Sequence, residues 1–304
     1  MRTSLAPSGC GIVAMLLPVV ARAQVLYDNG PYLTHPGGGA GGAGLSAVQT
    51  TLNLQSQGFS MIAPADRLAD DFTIPGPAAW TLEAVEFLAF QTNSSTSTPT
   101  FTSINLRIWS ARPGDPGSTI LFGDTTTNVL LSAAWANSFR ALDTEPLNAT
   151  RPIMAVRAAI VPPLTLPPGT YWIDWQAAGS LPSGPWCVPV TILGETAKPG
   201  ANARQFLNAV GAWRDARDSL SQAKQDMTFR ILGTSGAGPQ PCYANCDGST
   251  IAPVLNVNDF VCFNNLFAGG DSRANCDAST TAPVLNVNDF VCFNNRFVAG
   301  CSAP

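Results

Sequence analysis

Histidine is almost missing from these 304 residues, and His35 is the only one. Catalytic triads that need an imidazole base, and zinc sites built on imidazole, therefore have almost no material. Charge is scarce as well, at 12% of residues with a net of −4. No basic patch stands out, which makes nucleic acid and anionic membrane poor partner candidates. The most prominent apolar run, residues 11–21, is too short to cross a bilayer, and no later segment reads as transmembrane. Beyond that run the first 241 residues hold a single cysteine, Cys187, so a disulfide framework is excluded for most of the chain.

What is present at the start reads as an export signal. Arg2 supplies a positive start, residues 11–21 the apolar stretch, and Ala21-Arg22-Ala23 an A-x-A cleavage site. Residues 1–23 are thus expected to be removed, leaving a mature chain from Gln24 in an extracellular or cell-surface setting. Cys10 precedes the apolar run, so it does not sit where a lipoprotein acceptor would. Cysteine usage fits export: six of the eight cysteines crowd into the tail after residue 241, where they read as disulfides rather than zinc ligands.

Residues 24–234 show short apolar runs at 68–74, 82–90, 104–109, 153–160, 171–175 and 227–232. Between them stand Pro75-Gly76-Pro77, Pro167-Pro168-Gly169 and Ser183-Gly184-Pro185, with no long segment of helical period. This pattern predicts an all-β body, an antiparallel β-sandwich of jelly-roll type. The glycine-rich stretch 36–44 reads as a mobile loop or spacer, and residues 235–241 as a linker.

The tail, 242–304, says one thing twice. APVLNVNDFVCFNN at 252–265 recurs unchanged at 282–295, and Ala-Asn-Cys-Asp precedes each copy. Asn256 can cap a helix, with Asp259 in its first turn. Phe260, Phe263 and Phe267 then share one helical face, as do Phe290, Phe293 and Phe297. Two such short helices can bury their rings only against each other. Ahead of each helix stand regularly spaced polar oxygens: Asn245, Asp247, Ser249, Asn256 and Asp259, then Asn275, Asp277, Ser279, Asn286 and Asp289. Alternating oxygens followed by an acid inside a helix suit a hard cation such as Ca²⁺.

On these residues the tail resembles the dockerin module, two tandem EF-hand-like loop–helix units, in its cysteine-containing planctomycete form. Ala-Asn-Cys-Asp matches the family's loop opening, Asn256-Val257-Asn258-Asp259-Phe260 its loop end, and Gly300-Cys301 its closing signature. The resemblance implies Ca²⁺ as cofactor and a cohesin-like or other surface receptor as partner. Asn258, Asn264, Asn265, Asn288, Asn294 and Asn295, with the nonidentical pair Leu266 and Arg296, become the candidate contacts. The sequence departs from the family at the loops, which run 15 residues from Asn245 to Asp259 against the family's 12. A shifted register would make Gly248 the turn glycine but would place Tyr243 or Arg273 at the first ligand position, so the unshifted register is preferred. With two carboxylates per loop, Ca²⁺ binding is expected to be weak or absent. The repeat favours Cys246–Cys262 and Cys276–Cys292 within copies, leaving Cys242–Cys301 to clasp the ends. The sequence alone leaves other pairings open. Closing a loop of about 15 residues in this way contributes roughly 3 kcal/mol.

For the body, two lines of chemistry remain. A glycosidase needs two carboxylates, and Asp70, Asp71, Glu83, Glu86, Asp124 and Asp174 lie in or near predicted strands, but no pair is singled out. In the run 171–176, alternation sets Tyr171, Ile173 and Trp175 on one face and Trp172, Asp174 and Gln176 on the other. An exposed Trp172 beside Asp174 and Gln176 would form a sugar-binding stripe, whereas strand aromatics more often fill a core. Trp186 and Trp213 fall in loop-like contexts that could rim such a site. The sequence thus points to an exported, non-catalytic protein held in place by its tail, with a secreted carbohydrate-binding protein linked to polysaccharide breakdown as the alternative.

Overall fold

The computed structural model describes residues 24–235, 242–249, 253–277 and 279–300. The expected signal segment 1–23, residues 236–241 of the expected linker, and Cys301 lie outside the described residues. In chain order the strands are β1 (Gln24–Asp28), β2 (Gly44–Val48), β3 (Phe59–Ser60), β4 (Asp66–Ile74), β5 (Trp80–Phe90), β6 (Phe101–Trp109) and β7 (Ile120–Gly123). They continue as β8 (Leu130–Leu142), β9 (Pro152–Leu166), β10 (Gly169–Gly179), β11 (Trp186–Cys187), β12 (Arg204–Leu207), β13 (Ala212–Asp215) and β14 (Phe229–Ser235). Two helices follow, α1 (Val257–Ala268) and α2 (Val287–Ala299).

The strands form two sheets. One runs β1-β14-β5-β9-β8-β2, with β3 and β11 attached beside β5; the other runs β13-β12-β4-β10-β6-β7. The alternation in the sequence explains why both sheets bury one face. On β10 the residues Ile173, Trp175 and Ala177 point inward, and on β6 Ile104, Leu106 and Ile108 do the same. From the other sheet come Leu82, Val85 and Phe87 of β5, Met154 and Val156 of β9, and Phe229 and Ile231 of β14. Trp175 and Phe87 stack across the layers at 4.5 Å, and Phe229 meets Trp175 at 6.0 Å, so the two sheets share one core. Offset aromatic pairs of this kind add to the area that they bury.

Two expectations differ from what the structure shows. The sheets are not wholly antiparallel: β2 pairs with β8 in parallel, from Gly44 opposite Ser138 to Val48 opposite Leu142. Every residue of β2 is buried, so the strand carries no alternation to announce it, as is common for parallel strands covered on both faces. The glycine-rich stretch before it is a folded turn rather than a spacer. Its backbone closes through Gly38 N–H to His35 O at 3.1 Å and Gly39 N–H to Ala43 O at 2.8 Å, delivering the chain into β2. Among the described residues no helix is long and apolar enough to cross a membrane.

Candidate functional site

The duplicated tail folds as two loop–helix units around a shared aromatic centre. Each helix opens on a reciprocal cap that follows from its N-V-N-D sequence. Asn256 and Asn286 accept the N–H of Asn258 and Asn288 at 2.8 Å, while Asp259 and Asp289 reach back to the N–H of Asn256 and Asn286 at 2.8 Å. Such boxes satisfy the donors that a helix start leaves open. At the middle, Phe263 and Phe293 stack at 4.3 Å with their planes 17° apart. Around them Phe260 meets Phe297 at 4.5 Å and Phe290 meets Phe267 at 4.4 Å, the same contact seen from each copy. The unit has local two-fold character, and the rings of each helix pack mainly against those of the other, with Tyr243 edge-on to Phe293 at 6.3 Å.

Disulfides join Cys246 to Cys262 and Cys276 to Cys292, both with Cα atoms 5.7 Å apart, so each loop start is tied to its own helix. Cys242 is disulfide-bonded too; the partner expected for it, Cys301, lies outside the described residues.

The expected metal ligands gather near each loop, yet their oxygens face backbone amides. Asp259 and Asp289 are fully buried, and beyond the cap each accepts a second N–H at 3.3 Å, from Asp247 and Asp277. Burial alone would raise the Asp289 carboxyl, but the N–H groups of Asn286, Asp277 and Cys276 outweigh it and hold it below the usual carboxylate range. Asp247 and Asp277 accept from Ser249 and Ser279 N–H at 2.9 Å, and Asn245 and Asn275 donate to the Ser249 and Ser279 carbonyls at 2.8 and 2.9 Å. Calcium takes six to eight oxygens, and with the helix carboxylates already holding amides this donor set fits a tightly bound ion poorly. Among the described residues no three His, Cys, Asp or Glu side chains are grouped to hold a metal. Gly248 has a φ of 68°, the turn conformation that the shifted register asked of it, while Tyr243, the first ligand position of that register, donates its hydroxyl to Arg273 O at 2.7 Å.

Sequence reasoning named the asparagines of the module's most regular surface but missed its valines. Val257 and Val287 are 71% exposed, and Val261 and Val291 are 53% exposed. With Asn258, Asn264 and Asn265, and with Asn288, Asn294 and Asn295, all of them exposed, they make the same outward stripe on each helix. The signal was available, since these valines lie off the phenylalanine face and are repeated with it. The nonidentical pair departs from the stripe. Leu266 packs against the aromatic cluster, and the Arg296 guanidinium lies 4.9 Å from the Tyr243 ring centre and donates to Cys276 O at 3.4 Å.

In the body, Trp172, Asp174 and Gln176 share the outer face of β10 as the alternation required, but that face is covered. They are 6%, 1% and 2% exposed. The Asp174 carboxylate takes Arg107 Nη2 at 2.7 Å and Trp109 Nε1 at 2.6 Å, with Arg67 at 3.8 Å. Gln176 donates to Asn105 Oδ1 at 3.0 Å and to Thr125 O at 2.9 Å. The Arg112 guanidinium stands 5.7 Å from the Trp172 ring, and Arg67 covers Phe206 at 4.6 Å. The exposed stacking platform that a sugar site on β10 needs is therefore absent; arginines from neighbouring strands occupy it. Trp213 lies beside this layer, half-buried, 5.7 Å from Phe206.

Of the six candidate acids, Asp71 and Glu83 are half-buried, and the other four are engaged, Asp174 as described above. Asp70 is fully buried and accepts Asn29 Nδ2 at 2.9 Å and Met227 N–H at 2.7 Å; burial, with the nearby Asp226 carboxylate, raises its pKa. Glu86 pairs with Arg157 at 2.8 Å and Arg230 at 3.1 Å. Asp124 caps its own turn through Thr126 and Thr127 N–H at 2.7 and 2.6 Å. His35 is exposed and meets the Thr34 hydroxyl at 2.9 Å. No family model, curated protein or solved structure matches this chain.

Proposed function

We propose that this is an exported, non-catalytic protein whose two-sheet body, read as a β-sandwich, is anchored or assembled outside the cell through a dockerin-like C-terminal module. The observation that carries the reading is the duplicated helix stripe, Val257-Asn258-Val261-Asn264-Asn265 and its copy, turned to solvent on a unit whose only core is shared between the copies. Exposed apolar residues set among amides, presented on rigid helices, suit a protein receptor. The two loop–helix units read as EF-hand-like in descent, with the helix carboxylates and the disulfides holding the loops that an ion would otherwise hold. Calcium accordingly binds weakly or not at all, and a terbium titration showing micromolar affinity would overturn that part. The engaged state of Asp70, Glu86, Asp124 and Asp174 supports a body without a working acid–base pair. Export is supported by the opening segment and by disulfides, which persist in oxidising surroundings.

The test is capture of a receptor by the mature chain from the exported fraction of its source cells. A specific partner should be retained by the native chain and lost by the double variant Val261→Asp, Val291→Asp, whose helices remain folded. Equal retention by both chains would sink the reading.

A further inference from the structure

With the β10 stripe covered, a different place in the body offers an aromatic floor, free polar groups and open space together. Strand β11 inserts Trp186 between β3 and β5, opposite Ser60 on one side and Phe90 on the other. The indole is seated closely. An added Cβ on Gly58 would lie 2.8 Å from the Trp186 Cβ, and one on Gly184, whose φ is +94°, would lie 2.6 Å from its Cδ1. Glycine at these two positions lets the ring settle against the backbone while it remains half-exposed.

A cleft of about 230 Å³ opens over this floor, lined by Gln57, Gly58, Phe90, Thr92, Arg151, Ser183 and Trp186. Drug-sized pockets run from ~300 to 1,000 Å³, so this one suits a single ring with its substituents. Its polar groups converge. Trp186 Nε1 donates to Ser183 Oγ at 3.3 Å, and Ser183 Oγ donates to Thr92 Oγ1 at 3.1 Å, which leaves hydroxyl lone pairs on a space that Gln57 also lines.

Arg151 decides the ligand's charge. Among the described residues most cations are committed: Arg67, Arg107, Arg112, Arg157, Arg204, Arg217, Arg230, Arg273, Lys198 and Lys224 all stand in ion pairs. Arg151 does not. Its guanidinium makes one hydrogen bond, to Thr150 Oγ1 at 3.3 Å, and then borders the cleft. Partial burial lowers its pKa, against a weaker opposing pull from Glu145, so an anion seated beside it relieves a cost that the site already carries. A planar guanidinium pairs with a carboxylate through two parallel bonds.

We infer that the Trp186 cleft is a binding subsite for an acidic sugar ring, a uronate. The ring's C–H face lies on the indole, its hydroxyls meet Thr92, Ser183 and Gln57, and its carboxylate meets Arg151. This site is separate from the C-terminal helices, so it stands or falls independently of the docking reading.

The experiment is titration of the mature full-length protein with oligogalacturonate, oligoglucuronate and a neutral gluco-oligosaccharide, read by calorimetry and tryptophan fluorescence. At least one acidic oligomer is expected to bind and quench fluorescence, with tenfold or greater preference over the neutral one. Arg151→Gln should erase that preference, and Trp186→Ala should weaken binding at least tenfold. Because Trp186→Ala could disturb β11, Thr92→Val serves as a milder second variant, expected to weaken binding about threefold with an unchanged melting temperature. No binding of either acidic oligomer, or affinity unaltered in Arg151→Gln, would overturn the inference.

Discussion

The body and the tail solve the same problem of specifying one structure by opposite means. The body has length enough to enclose a continuous core between two sheets, and its one described cysteine, Cys187, is buried and unpaired. The tail has two helices of 12 and 13 residues, a centre of six phenylalanines, and covalent ties from loop to helix. Below a certain size, apolar burial cannot offset chain entropy, and small exported units commonly add disulfides. The difference shows where each part is vulnerable: the body to loss of packing, the tail to loss of its ties.

Each half can be broken without the other. The largest effect is expected from Trp175→Ala, which removes the ring that stacks on Phe87 and touches Phe229. Truncating a fully buried aromatic costs about 3–5 kcal/mol, and hydrogen exchange should accelerate across β5, β10 and β14 while α1 and α2 keep their protection. Next comes the double variant Cys246→Ser, Cys262→Ser, worth roughly 3 kcal/mol through loop closure. Here the pattern should reverse, with exchange in α1 rising and the sheets unaltered. If reduction of the tail also loosened β5 or β10, the two parts would not be independent.

A smaller effect sharpens the comparison within the tail. Asp289→Ala removes the reciprocal cap of α2, which typically costs about 1 kcal/mol. In the native chain the Asp289 carboxyl has a folded pKa below its unfolded value of about 3.9. The stability that it adds is therefore complete above that value and is lost as pH falls through the depressed folded one. The protection factors of the α2 amides, corrected for the intrinsic exchange rate, should fall at pH 3 relative to pH 6, and the Asp289→Ala variant should show less of this dependence. The smallest effect on stability belongs to Val261→Asp and Val291→Asp, exposed positions where changes stay within about 0.5 kcal/mol. Thermal unfolding checks that they leave the fold intact.

What the sequence made legible follows from how local the information is. The tail repeat wrote its caps, its phenylalanine faces and its within-copy cysteine pairs in one short phrase, and the structure contains all three. Strands β5, a long apolar run bounded by turn residues, and β10, with its alternation, were legible for the same reason. By contrast, β2 is buried on both sides and β8 carries a long exposed Ala- and Ser-containing stretch, so neither shows a clear period. That Trp172 is buried matches the commoner fate of strand aromatics, but what covers it and Asp174 was not readable. Alternation assigns a residue to a face, but whether that face meets water depends on Arg67, Arg107 and Arg112, which come from other segments. The Arg151–Trp186 cleft is invisible for a similar reason, since Gln57, Phe90, Arg151 and Ser183 meet only after the sheets have formed.

Cys187 has a further consequence. Its sulfur lies in the core against Leu88 O at 3.6 Å, and burial raises its pKa so far that little thiolate forms at neutral pH. With the sheets closed, the odd thiol is withdrawn from thiol–disulfide exchange, so the tail cysteines meet no competing thiolate from the body.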